Sequence, residues 1–284
     1  MKKAVSILLA LVLCFSLVIS GFSAQSKTIK EYLLLGDSIS EGYGIKNRDQ
    51  ACYGKIIADT NGWGYTNHGR SAKTSDQLLE DIESGEITED IKKADLISIS
   101  IGGNDYLNDS GVVGVALGAL LDIDTPHINE LTEHLRGNFR SIMKDIRAIN
   151  PDAVIFLQHV PCTWFGVLGI AYGRITAKVS KLVDEIAAEF PENVYVLDVA
   201  GVIDGNKEYV ANDTIHPNVA GNVAIAKLFQ AKLYELGYVS SPEIKIVTPG
   251  IDYGENDNYF IRLYGEFPGR LFYYLVILFT GNIK

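Results

Sequence analysis

Past its first two dozen residues, the chain alternates short apolar runs with longer stretches in which apolar residues recur every three or four positions. The short runs, at 32–35, 62–67, 96–101, 153–157 and 194–197, predict five strands, the first of them buried. The longer stretches predict helices. One covers 51–60, with Tyr53, Ile56, Ile57 and Thr60 in phase, and another 74–82, with Leu78, Leu79 and Ile82 on one face behind a Thr74 or Ser75 cap. A third, 129–149, carries Leu131, Leu135, Phe139, Ile142, Met143, Ile146 and Ile149, and two more cover 175–190 and 218–236. The glycine-spotted apolar stretch 111–121 gives no clear assignment. Strands joined by helices of this length need right-handed crossovers, which build a parallel sheet covered on both faces. The expected fold class is therefore α/β: a three-layer α/β/α sandwich around a five-stranded parallel sheet.

Polar residues gather where the strands end. The first apolar run breaks at Gly36, and Ser38 follows where the chain must leave the sheet. Ligands of parallel sheets bind at the carboxyl ends of strands, so Ser38 is placed either to react with a substrate or to cap the next helix. The other strand ends favour reaction. Gly69 follows the second strand, Asn104 the third, and Asp213 and His216 precede the last helix, whose first residue is read as Pro217. A serine nucleophile needs a base within hydrogen-bond reach and a carboxylate that holds the tautomer of that base. Ser38, His216 and Asp213 supply the set. A developing oxyanion needs donors, which the backbone N–H groups of Ser38 and Gly69 and the amide of Asn104 can provide. Asp37 and Asp105 are read as braces of their turns through bonds to backbone N–H groups. His159 and Trp164 follow the fourth strand on the same edge and are candidates for lining the substrate pocket.

Gly36-Asp37-Ser38-Ile39, the Gly69 turn, Gly102-Gly103-Asn104-Asp105 and Asp213-Thr214-Ile215-His216-Pro217 resemble, in order, the four sequence blocks of the SGNH, or GDSL-type, esterase and lipase family. The resemblance implies that family's flavodoxin-like hydrolase fold, with Ser38 as nucleophile, His216 as base and Asp213 as its orienting partner. It also implies Ser38, Gly69 and Asn104 as the oxyanion hole, with no metal and no cofactor. Ile39 stands where the family block has leucine. No G-x-S-x-G elbow is present, since Gly69-Arg70-Ser71-Ala72-Lys73 fails at its last position, so an ordinary α/β-hydrolase is disfavoured.

Composition changes the picture at three points. A net charge of −10 with no basic stripe argues against a nucleic-acid partner. Residues 1–24 join Lys2 and Lys3 to an apolar stretch and a small-residue exit, the pattern of a secretory signal peptide. A secreted or envelope-associated protein is expected, with 25–240 as the hydrolase domain. Cys52 and Cys162 then remain, equally readable as a disulfide or as two buried thiols. Beyond Ser241-Pro242, residues 241–284 read as an appendage whose nine-residue apolar run, 271–279, is too short to span a bilayer as a helix and is expected to form a strand.

The function expected is that of a secreted serine esterase working through an acyl-enzyme. The acidic charge favours soluble, short acetyl-type esters such as those of acetylated polysaccharide. Hydrolysis of lipids or lysophospholipids is the alternative, as is a non-catalytic binding module on the same scaffold. The sequence leaves the oligomeric state open.

Overall fold

Tyr32, Leu33, Leu34 and Leu35 are all buried, because successive side chains of a strand point to opposite faces and both faces here are covered. Leu33 and Leu35 enter one core; Tyr32 and Leu34 enter the other. Double burial is why this strand reads as an unbroken apolar run. The computed structural model describes residues 28–245, 270, 271, 273–275 and 278. Its strands are β1 (Glu31–Gly36), β2 (Gly64–Gly69), β3 (Leu96–Ser100), β4 (Val154–Gln158) and β5 (Val194–Leu197). They form one sheet in the order β2-β1-β3-β4-β5, with every neighbouring pair parallel.

The helices in chain order are α1 (Ser38–Glu41), α2 (Arg48–Ala51), α3 (Tyr53–Asn61), α4 (Ser75–Glu83), α5 (Thr88–Lys93), α6 (Asn104–Leu107), α7 (Val112–Leu120), α8 (Pro126–Ile149), α9 (Gly166–Glu189), α10 (Val199–Ile203) and α11 (Val219–Glu235). Leu78 of α4, Phe139 of α8 and Val179 of α9 share the core of Leu33, Leu35 and Ile97. Ile57 of α3, Ile203 of α10 and Phe229 of α11 close the other face over Tyr32, Leu34 and Phe156. The three-layer sandwich is as the periodicity predicts.

The strand order positions the site. From β1 the chain steps outward to β2, then crosses back to β3 on the other side of β1. The carboxyl ends of β1 and β3 therefore border the topological switch point, where open parallel sheets bind ligands. Gly36 makes that junction possible. Its φ is +141°, and a Cβ there would stand 2.0 Å from the carbonyl oxygen of Ser100, the oxygen that accepts the N–H of Asp37 at 3.0 Å.

Several expectations need correction. The unassigned stretch is the helix α7, whose Val115, Gly118 and Ala119 are buried while Val113 and Leu117 are exposed. Apolar residues on both sides erase the period. Pro217 is not the first residue of the last helix: it pairs with Val210 in an antiparallel bridge, and Asn218 is the N-cap, accepting from the N–H of Gly221. Cys52 and Cys162 are free, buried thiols. Within the run 271–279, expected to form a strand, residues 271, 273–275 and 278 are helical, an ambiguity inherent in short apolar runs. Among the described residues, no helix is long and apolar enough to cross a membrane. The expected leader lies outside the described residues.

Candidate active site

Ser38 is the first residue of α1, directly after the N-cap Asp37, whose carboxylate accepts the N–H of Ile39 at 3.0 Å. The loop before α11 comes to meet it. Ala211 N–H donates to the carbonyl of His216 at 2.8 Å, closing the loop at its base. Inside it, Oδ1 of Asp213 accepts the N–H groups of Ile215 and His216, each at 3.0 Å. Oδ2 of Asp213 lies 2.5 Å from Nδ1 of His216. A carboxylate can only accept, so the imidazole proton sits on Nδ1 and Nε2 is left as an acceptor. Ser38 Oγ is 2.8 Å from that Nε2. Asp213 and His216 have no solvent exposure and Ser38 only 7%, so no water competes along the line from hydroxyl to carboxylate. Gly44 lets the loop lie this close: its φ is +111°, and a Cβ would stand 2.9 Å from the Cβ of His216.

The structure redraws the expected donor set. Gly69 N–H already donates to Oδ1 of Asn67 at 2.7 Å, an Asx turn, so it is not available to an oxyanion. Glycine is needed at 69 for packing, since a Cβ would stand 2.4 Å from the backbone nitrogen of Glu41. Three residues on, Ala72 takes the left-handed conformation with φ +64°, which costs an alanine about 1 kcal/mol. Its carbonyl accepts from Asn108 at 2.9 Å, and the next carbonyl, of Lys73, accepts from Nδ2 of Asn104 at 3.0 Å. The Ala72 peptide and the Asn104 amide are thus fastened to one short turn. Buried Lys73 secures that turn, its Nζ reaching Asp81 at 2.6 Å and the carbonyl of His68 at 2.9 Å. Among the described residues, the N–H groups of Ser38 and Ala72 make no hydrogen bond. No residue-type signal marks Ala72 in the sequence; its backbone angle does.

A sequence model of the GDSL-like lipase/acylhydrolase family matches residues 34–224, a span that includes Ser38, Asn104, Asp213 and His216. The chain belongs to that family. It is 25% identical over 245 residues to the uncharacterized protein YpmR of Bacillus subtilis (strain 168), covering 80% of this chain and 92% of the relative. The lipase Lip_vut3 from a goat rumen metagenome shares the fold with a TM-score of 0.58 at 21% identity, over 71% of this chain and 96% of its own. A catalytic mutant of Axe2, an acetylxylan esterase from Geobacillus stearothermophilus, does so with a TM-score of 0.54 at 21% identity, over 75% and 98%. One of these structures is a lipase and the other acts on an acetylated polysaccharide. Membership in the GDSL-like family therefore carries hydrolase chemistry but leaves the acyl group open.

Within this GDSL-like scaffold, His159 does not line the triad's site. Its ring nitrogens lie 3.0 Å from Asp198 and 3.0 Å from Asp184, and it borders a separate pocket with Thr176, Ser180 and Lys181 that no triad residue lines. The two carboxylates come from α9 and the residue before α10. Trp164 does reach the neighbourhood. It packs with Ile215 against Tyr43, whose ring centroid is 4.9 Å from that of His216. Its indole N–H is buried without an acceptor among the described residues.

The two aspartates read as braces act as such. Asp105 accepts the N–H of Ser75 at 3.1 Å as well as its hydroxyl, and Asp37 caps α1. Burial pushes the carboxyl of Asp37 up to about 7 and that of Asp105 up to about 6. A carboxyl raised above its unfolded value binds its proton more tightly in the native state. Stability is therefore highest below about pH 4 for this group and falls as pH rises toward 7. Asp37→Asn keeps an oxygen for the Ile39 N–H and removes the buried charge. It is expected to raise unfolding free energy at pH 8 by up to about 4 kcal/mol, with no gain at pH 3.5. Thermal unfolding of both proteins across that range checks it, and equal midpoints at pH 8 would contradict it.

Proposed function

We propose that the chain is a serine hydrolase of carboxylic esters. Ser38 Oγ attacks the ester carbonyl carbon while His216 Nε2 takes the hydroxyl proton and Asp213 stabilises the imidazolium. The tetrahedral intermediate expels the alcohol, protonated by His216, and leaves an acyl-enzyme. Water, deprotonated by the same imidazole, then releases the acid and restores Ser38. The observation that carries this reading is the buried hydrogen-bonded line from Ser38 through His216 to Asp213. A pure binding module has no use for it.

The oxyanion donors in this proposal are the N–H groups of Ser38 and Ala72 and the side-chain amide of Asn104. A crystal structure of a phosphonate adduct on Ser38 tests the set. Its phosphoryl oxygen should lie about 2.7–3.1 Å from all three nitrogens, and an oxygen bound by Gly69 N–H instead would overturn the assignment.

Short acyl esters are the first reading of the substrate, on the strength of the acidic charge. Longer acyl chains are the second, favoured by one observation: Val113, Leu117, Leu121 and Ile123 on and after α7, with Val167 and Ile170 at the start of α9, are large apolar side chains left exposed. Both helices follow strands that end at the proposed site. Trp164, packed against Tyr43 beside His216, is the proposed side-chain contact to the bound ester. Hydrolysis of p-nitrophenyl esters of increasing acyl length decides between the readings. Rates that fall steadily from acetate support the first, and a maximum at eight or more carbons, on the order of a medium-chain lipid acyl group, supports the second.

Export through residues 1–24 belongs to the same proposal. N-terminal sequencing of protein recovered from the culture medium should begin at Ala24 or Gln25. An intact Met1 on protein retained inside cells would contradict it.

A further inference from the structure

The sequence assigns no role to the apolar run near the C-terminus, yet one residue of it reaches the triad's surroundings. Tyr273 is half-buried and packs against Tyr43 beside Trp164 and Ile215. Its hydroxyl donates to the carbonyl oxygen of Asn212 at 2.7 Å. Each contact leads directly to the machinery. Tyr43 is buried, its ring lies 4.9 Å from the imidazole of His216, and its N–H donates to the carbonyl of Ser38 at 3.0 Å. Asn212 is the residue before Asp213.

The loop these contacts hold has reason to need holding. It includes Thr214 in the left-handed conformation, φ +69°, and a β-branched residue there is strained. The local bonds run from Ala211 N–H to His216 and from Thr214 N–H to Ala211, so they close the loop on itself rather than on the sheet. From outside, Thr163 Oγ1 donates to the carbonyl of Ile215 at 2.6 Å, and Tyr273 grips the opposite end at Asn212.

We propose that Tyr273 is a positioning residue that straps the Asp213–His216 loop in register with Ser38. The ring presses Tyr43 toward the imidazole, and the hydroxyl fixes the peptide next to the carboxylate. The inference rests on the hydrolase reading above. A displacement of about 1 Å in such a constellation costs on the order of 10²-fold in rate, so a partial loosening is expected to cost about tenfold.

The test uses the full chain with Tyr273→Ala and Tyr273→Phe. It measures kcat and KM on a p-nitrophenyl ester, the rate at which a fluorophosphonate labels Ser38, and the thermal midpoint. Tyr273→Ala should lower kcat and the labelling rate together by about tenfold, with KM within about twofold and the midpoint little moved. Tyr273→Phe keeps the ring and should recover most of that loss. Rates within about twofold of the parent in Tyr273→Ala, or a loss no larger than the unfolded fraction, would overturn the strap. A parent protein that neither hydrolyses nor labels would instead sink the hydrolase reading, and this inference with it.

Discussion

His216→Ala is expected to lower kcat on a p-nitrophenyl ester by about 10⁴–10⁶-fold while leaving KM within a few-fold. The hydroxyl of Ser38 is a poor nucleophile until a base takes its proton, and Nε2 of His216, at 2.8 Å, is the acceptor it faces. KM should hold because the imidazole is fully buried behind Ser38 and contributes to the transition state rather than to ground-state binding. The residual rate would come from the oxyanion donors, which the substitution leaves in place. Asp213→Asn should cost about 10⁴-fold by a different route, since an amide can present its NH₂ to Nδ1 and stabilise the wrong tautomer. That side chain also holds two loop N–H groups, so its thermal midpoint must be measured alongside kcat. Steady-state kinetics on folded protein checks both variants, and a kcat loss below about tenfold in His216→Ala would contradict the assigned base.

Asn104→Ala is expected to cost about 10²–10³-fold in kcat, again with little change in KM. Its amide nitrogen has one hydrogen committed to the carbonyl of Lys73 at 3.0 Å, leaving the other to meet negative charge as it develops on the carbonyl oxygen. The committed bond matters as much as the free one. It orients the amide before substrate arrives, so the donor costs no reorganisation at the moment of reaction. It also ties Asn104 to the turn that carries Ala72, so its loss should loosen both. Kinetics with the folded variant decides the point. A loss under about tenfold would remove Asn104 from the oxyanion set.

β1 and β4 were legible because burial on both faces leaves an unbroken apolar signature, as in Leu33, Leu34 and Leu35, whereas the part-exposed edge strand β2 runs over 64–69 rather than 62–67 and takes in Gly69. That Ser38, His216 and Asp213 would meet was legible from their residue types and places, Ser38 just after a strand and the other two just before the last helix. The proposed donor at 72 was not. Glycine at 69 drew attention by its identity, while what distinguishes Ala72 is a positive φ, which residue type does not reveal. One signal was available and points the right way: Asn67, two residues before Gly69, is an Asx-turn former able to claim that N–H. His159 misled for another reason. Its position after β4 is as expected, but its orientation is set by Asp184 and Asp198, partners far along the chain. The apolar run near the C-terminus defeated periodicity altogether, because nine residues of one kind fit either a strand or a helix.

The central claim is that Ser38 is an activated nucleophile, and intact-mass analysis after brief exposure to a fluorophosphonate tests it most directly. One phosphonyl group per chain is expected, mapped to the peptide carrying Ser38, formed rapidly by the folded protein and lost in Ser38→Ala and His216→Ala. A folded protein that stays unlabelled, or that carries the group on another residue, would contradict it.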